Sequence, residues 1–159
     1  MWMDDTCRVV LFGHRDFNNH RALSERLYPL LCDLVRTRSY VEIYIGRNGA
    51  FDLYAATVIK RVQNVVGKAN NALICVLPYT EKDLEYYEKY YDEVVIPECI
   101  GCSHPKAAII KRNRWMVEQA DLFVCYVERK NGGAYTAWKY AKKLGKQIIN
   151  LANKADEEE

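Results

Sequence analysis

No stretch of this sequence approaches the roughly 18 uninterrupted apolar residues that a membrane-spanning helix requires. Its first residues, Met1-Trp2-Met3-Asp4-Asp5, lack the positive charge and apolar segment of a secretory leader. A soluble, cytoplasmic protein with no membrane partner is the expectation. An excess of one charge is missing too. The net charge is +2, so the chain carries no basic field of the kind nucleic-acid-binding domains present, and nucleic acid is not the expected partner. The only charge run is acidic, Asp156-Glu157-Glu158-Glu159, and reads as part of a solvated tail from 154 to 159. Internal repeats, low-complexity tracts and linkers are absent. One domain over 1–159, with its core between about 7 and 151, follows from that uniformity and from a length sufficient to bury a core.

A second pair of metal ligands is also wanting. Cys99-Ile-Gly-Cys102-Ser-His104 has the form of half a zinc site, yet a structural site needs four ligands, and no partner pair stands at a usual spacing. No metal and no cofactor are expected. Cys7, Cys75 and Cys125 fall in or beside apolar β-like runs and Cys32 in a helical pattern, which suits free thiols acting as small buried hydrophobes in a reducing compartment.

What the sequence does have is alternation. Short β-branched runs occur at Arg8–Phe12, Val41–Ile45, Leu73–Leu77, Glu93–Ile96, Leu122–Tyr126 and Gln147–Leu151. They lack clean polar alternation, as do strands covered on both faces in a parallel sheet. Helical stripes lie between them. Leu23, Leu27, Leu30, Leu31 and Leu34 form one, interrupted by Pro29, which predicts a kink or a late helix start. Val58, Ile59, Val62 and Val66 form the next and end at Gly67. A third runs from about Lys106 to Gln119, and a fourth carries Ala137, Tyr140, Ala141 and Leu144 before Gly145. Strands alternating with helices predict right-handed crossovers and an α/β, Rossmann-like fold: an open, mostly parallel sheet with helices on both faces.

Ligands of such sheets bind outside the carboxyl ends of the strands. The residues that follow the predicted strands are Gly13-His14-Arg15-Asp16, Gly46-Arg47-Asn48-Gly49-Ala50-Phe51-Asp52, Pro78-Tyr79-Thr80, and Tyr126 followed by Asn131-Gly132-Gly133-Ala134-Tyr135-Thr136. Glycine, charge and amide groups thus recur at one edge. Gly132-Gly133 before a helix offers free N–H groups and the helix dipole to an anion, and Thr136 offers a hydroxyl or a helix cap. Gly13 permits close approach, and Arg15 can grip a phosphate with two parallel bonds. Asp52 can accept from a ribose or cap a helix, and His14 can act as a base or as a hydrogen-bonded structural residue. The same residues admit plainer roles: Gly-Gly as a tight turn, Arg112 and Arg114 as a solvated helix face beside Trp115 and Met116, and Tyr86–Tyr91 as core or partner packing. Convergence of several loops on one edge carries the site assignment.

Taken in order, Gly13-His14-Arg15, Gly46-x-x-Gly49-x-Phe51-Asp52, Leu77-Pro78-Tyr79, Arg112-Asn113-Arg114-x-Met116, Ala120-Asp121, Gly132-Gly133-Ala134 and Gly145-Lys146 resemble the SLOG superfamily, and look closest to its YpsA-like branch of bacteria and phages. The resemblance spans about Cys7 to Leu151. It implies a Rossmann-like fold that binds a nucleotide-related ligand at the glycine-rich edge, and plausible self-association into dimers or larger homo-oligomers. Relatives include the cytokinin-activating phosphoribohydrolases and the DNA-processing protein A family. In the phosphoribohydrolases an Arg-Lys-x-x-Met segment and a Pro-Gly-Gly-x-Gly-Thr-x-x-Glu segment carry phosphate binding and N-glycosidic cleavage. Arg112, Met116, Gly132, Gly133 and Thr136 match those segments. Asn113 replaces the lysine, Tyr135 replaces the third glycine, and Trp138 and Lys139 occupy the acidic positions. The resemblance therefore implies a binding or sensing module for a nucleoside phosphate or ADP-ribose-type ligand. The alternatives are an N-glycosidic hydrolase using Asp52, His14 and Arg112, and a DNA- or protein-binding module. Gly13, His14, Arg15, Gly46, Gly49, Phe51, Asp52, Pro78, Tyr79, Arg112, Asn113, Gly132, Gly133 and Thr136 are the candidate ligand-binding residues.

Overall fold

The computed structural model describes residues 6–101 and 104–152, without the side chain of Cys99. The six apolar runs become six strands: β1 (Thr6–Gly13), β2 (Tyr40–Ile45), β3 (Asn71–Val76), β4 (Glu93–Val95), β5 (Leu122–Tyr126) and β6 (Gln147–Asn150). All pair in parallel in one open sheet of order β4-β3-β2-β1-β5-β6. Five helices connect them: α1 (His20–Thr37), α2 (Ala50–Val66), α3 (Leu84–Tyr90), α4 (Pro105–Gln119) and α5 (Gly133–Lys143). The fold is α/β and Rossmann-like, as the alternation predicts.

Two cores sandwich the sheet, which is why its strands lack polar alternation. On one face Leu23, Leu27 and Leu31 of α1 and Phe51, Ala55, Ile59 and Val62 of α2 pack on Val9, Leu11, Ile43, Ile45 and Val124. Leu23, Leu27 and Leu31 are fully buried, a burial that stabilises by roughly 1.5–3 kcal/mol per side chain. On the other face Met116 and Val117 of α4 and Ala134, Ala137 and Ala141 of α5 meet Val10, Phe12, Val76, Phe123 and Cys125. Phe12 and Phe123 stack there at 5.3 Å between ring centroids. Small alanines let α5 lie close to the sheet.

Cys7, Cys32, Cys75 and Cys125 are buried, as their apolar surroundings predict. Gly67 and Gly145 follow α2 and α5 with φ of 85° and 73°, the left-handed region that suits glycine at a helix end. Pro29 neither ends α1 nor delays its start, for the helix runs from His20 through it to Thr37. The proline is exposed, so the carbonyl it leaves without an intrahelical donor lies on the side open to water. Helix α3 is an addition to the predicted elements. Its Tyr87, with the following Tyr91, fills the core beside α2, while Tyr86 is 58% exposed. The acidic tail from 154 to 159 lies outside the described residues. No helix among the described residues is long and apolar enough to cross a membrane.

One contact fixes the geometry at the end of β1. A Cβ added to Gly13 would lie 2.1 Å from Cγ of Phe51, well inside any real carbon–carbon contact. Phe51 is 1% exposed and its ring is met edge-on by Phe17 at 5.5 Å, so it has nowhere to retreat. Gly13→Ala should destabilise the protein by about 1–3 kcal/mol, the usual cost of overpacking a close-packed core. Urea unfolding will show this as a lowered midpoint at unchanged slope; an unaltered midpoint would mean that Phe51 repacks freely.

Candidate functional site

Strand order reverses between β1 and β5. The chain leaving β1 enters α1 on one face, and the chain leaving β5 enters α5 on the other. A crevice opens where the two diverge, the place where sheets of this kind bind ligands. A cleft of about 390 Å³ lies there. Of the candidate residues, Gly13, His14, Arg15, Gly46, Gly49, Phe51, Asp52, Arg112, Asn113, Gly132 and Gly133 line it. Loops from three strands and the middle of α4 therefore meet at one edge.

Three candidates stand elsewhere. Pro78 is buried and Tyr79 exposed at the end of β3, and neither lines the cleft. Thr136 lies in a smaller groove between α4 and α5, beside Ile110, Asn113, Arg114, Val117 and Tyr140. Nor is Thr136 a cap. Gly132 holds the N-cap position of α5, and the Thr136 hydroxyl donates back to the Gly132 carbonyl at 3.1 Å. Asp52 is likewise no N-cap: Gly49 caps α2, and Asp52 sits in its first turn. Asn48, Lys106, Ile109, Ile110, Met116 and Arg129 line the cleft in addition. Arg129 belongs to the loop after β5, where its position beyond a strand end was a usable signal. Lys106 opens α4, and nothing in its sequence surroundings marks it.

The loops are tied to one another by directed bonds. The Ala50 N–H donates to the Arg15 carbonyl at 2.8 Å, joining the loops after β1 and β2. Across the crevice, the Glu128 N–H donates to Nε2 of His14 at 3.1 Å, and Arg129 pairs with Asp16 at 2.7 Å. Gly132 (φ 91°) brings its Cα side toward Nδ1 of His14, a region of φ that favours glycine. His14 is 4% exposed, and as an acceptor at Nε2 it must be neutral with its proton on Nδ1. Burial, aided by the charge of Arg129, holds its pKa below the ordinary histidine value, against the opposing pull of Asp16 and Glu128. Its structural role is therefore clear: it links β1 to β5 across the crevice.

Arg112 overturns the plainer reading of α4 as a solvated face. It is 3% exposed. Its Nη1 donates to the Val76 carbonyl at 2.7 Å and its Nε to Oδ1 of Asn113 at 2.8 Å. Those bonds use two of the five guanidinium N–H donors. Desolvation lowers its pKa and the nearby Asp52 carboxylate opposes that shift. Asp52 accepts from the Asn48 N–H at 2.8 Å. Burial raises its pKa, while the Asn48 bond and the charge of Arg112 pull it back down. Both groups pack on Gly46: a Cβ there would lie 2.9 Å from Nη1 of Arg112 and 3.2 Å from Oδ2 of Asp52.

The half-site motif at Cys99 and Cys102 falls outside the described residues, apart from the backbone of Cys99. His104 is exposed and caps α4 through Nδ1, which accepts from the Lys106 N–H at 3.3 Å. No cluster of three or more metal-ligating side chains occurs among the described residues.

The lowered pKa of His14 ties stability to pH. The folded state prefers the neutral ring, so its contribution is complete above the unfolded pKa of about 6.5 and is lost as pH falls from there toward the folded value. Urea unfolding at pH 7.5 and 5.0 should show a larger loss of stability for the wild type than for His14→Gln, whose side-chain oxygen still accepts from Glu128 but does not titrate. Equal losses in the two proteins would remove this role.

Compared with protein-family models the chain finds no match, and none of the curated proteins matches it significantly.

Proposed function

We propose that this chain binds a nucleotide or nucleotide-derived phosphate ligand at the carboxyl edge of its sheet, as a binding or sensing module of SLOG type. One observation carries the reading: Arg15, Lys106, Arg112 and Arg129 line a single cleft whose only carboxylate, among the described residues, is Asp52. In a chain of net charge +2 such local concentration is selective. Clefts lined by one sign of charge gather ligands of the other. The N-terminus of α5 at Gly132-Gly133 adds backbone N–H groups and the positive end of a helix dipole. The cleft volume falls in the range of roughly 300–1,000 Å³ typical of small-molecule sites. Helix α5 contributes no acidic side chain, which favours binding over the cleavage carried out by the phosphoribohydrolases.

A second reading, N-glycosidic hydrolysis, is favoured by Asp52 alone. Its carboxyl lines the cleft and its pKa is raised by burial, the direction that suits a general acid. His14 serves this reading poorly, since its Nε2 is engaged by Glu128.

A panel of nucleoside mono-, di- and triphosphates, ADP-ribose and NAD separates the two when thermal shift and mass spectrometry are read together. A ligand at about a hundred times its Kd stabilises by about 2.7 kcal/mol, which for a chain of this size raises Tm by roughly 5–10 °C. Stabilisation with the ligand recovered intact is the expected result. Release of free base with ribose phosphate would favour the hydrolase, and Asp52→Asn should then slow it by about 10²–10⁴. If no member of the panel shifts Tm, the nucleotide reading fails.

A further inference from the structure

Arg112 and Asp52 carry opposite charges and pack on the same glycine, yet they do not close into an ion pair. The four ion pairs among the described residues do not include them, so their nitrogen and oxygen atoms stand more than 4.0 Å apart. Both nevertheless lie within 3.2 Å of one point, the position a Cβ of Gly46 would take. Nη1 of Arg112 and Oδ2 of Asp52 are thus separated by between about 4 and about 6 Å.

That interval has a chemical meaning. An oxygen bonded to two partners at about 2.8 Å each, with a near-tetrahedral angle between them, spans roughly 4.6 Å. To serve both partners the atom must accept from the guanidinium and donate to the carboxylate. A hydroxyl does both. A phosphate oxygen only accepts, and would satisfy Arg112 while being repelled by Asp52 at close range. The two charged groups are also anchored. Arg112 is held by Val76 and Asn113, and Asp52 by Asn48 and its place in the first turn of α2. Neither drifts to meet the other without breaking those bonds.

We infer that Arg112 and Asp52 form a hydroxyl clamp that binds a ribose-type sugar of the ligand, and that the ligand's anionic group lies toward Arg129 and Lys106. The inference rests on the nucleotide reading proposed above, and reassigns Arg112 within it. Asp52 has a specificity role here: it selects hydroxyl over phosphate at its end of the cleft.

The test compares the nucleotide giving the largest thermal shift with its 2′-deoxy and 3′-deoxy forms by calorimetry. Wild type should bind at least one deoxy form roughly ten- to hundredfold more weakly, as expected when a charged hydrogen bond is lost. Asp52→Asn should reduce that ratio to less than about threefold and should bind inorganic phosphate more tightly than wild type. Equal binding of all three sugars by wild type, or an undiminished ratio in Asp52→Asn, overturns the clamp. Crystals soaked in D-ribose decide the matter even if no nucleotide binds. A sugar hydroxyl between Arg112 and Asp52 would then uphold the clamp while the nucleotide reading falls. A direct ion pair, or a bridging water that ribose does not displace, would overturn it.

Discussion

β1 pairs in parallel with both β2 and β5, and the chain leaving β1 and β2 turns to one face of the sheet while the chain leaving β5 turns to the other. A right-handed crossover admits no other arrangement once α1 and α2 cover one face and α4 and α5 the other. The two chains turn to opposite faces beyond the strand ends, so a crevice there is a consequence of topology and needs no residue dedicated to opening it, although the loops are bridged across it by the Glu128–His14 bond and the Arg129–Asp16 pair. What the sequence adds is the lining. Gly13 lets Phe51 close the crevice from below, and the His14 ring spans it, accepting the Glu128 N–H at 3.1 Å.

A guanidinium at 3% exposure is the most expensive feature of this lining. Burying such a charge costs several kcal/mol unless hydrogen bonds and a counter-charge offset it. Val76 and Asn113 supply the bonds, and Asp52 supplies the field without direct contact. A chain selected for stability alone would gain by closing the pair or by replacing both groups with apolar residues of similar volume. Retaining both charges at arm's length is a specific geometry, and it places a polar floor beneath a glycine-rich cleft.

Much of this was legible in the sequence because parallel sheets write themselves plainly. A run such as Leu122–Tyr126, apolar at every position and too short for a buried helix, fits a strand covered on both faces, and the residues after each run had to meet at one edge. Helix α3 was not legible because Tyr86, Tyr87, Tyr90 and Tyr91 give no clean apolar stripe: Tyr87 and Tyr91 turn inward while Tyr86 faces water. Pro29 departs from expectation because the rule against proline inside a helix assumes that the freed carbonyl has no other partner, and on an exposed side water serves. The site showed the same pattern. Residues after β1, β2 and β5 meet at the cleft as strand order led one to expect, but Pro78 and Tyr79 after β3 do not line it. Arg112 came only from the resemblance and Lys106 not at all, because both depend on where α4 crosses the sheet, a long-range fact that no local spacing contains. Thr136 failed as a cleft residue for the related reason that α5 begins at Gly133, which turns the hydroxyl back to the Gly132 carbonyl.

The two ends of the cleft differ in how firmly their cations are held, and on the proposed reading this difference orders how a ligand engages. Arg112 is fixed by buried bonds. Arg129 is held by an exposed pair with Asp16 and by Asn131, contacts screened by water and salt and worth little to the fold. An arriving anion can therefore exchange Asp16 for itself at Arg129 at small cost, whereas at Arg112 it would have to disturb a buried network and approach Asp52. On the proposed reading, long-range attraction and first contact fall to the exposed cations and discrimination to the buried pair. On that reading, an arrangement with the buried and exposed cations exchanged would attract anions equally well but would lose the means of telling one from another.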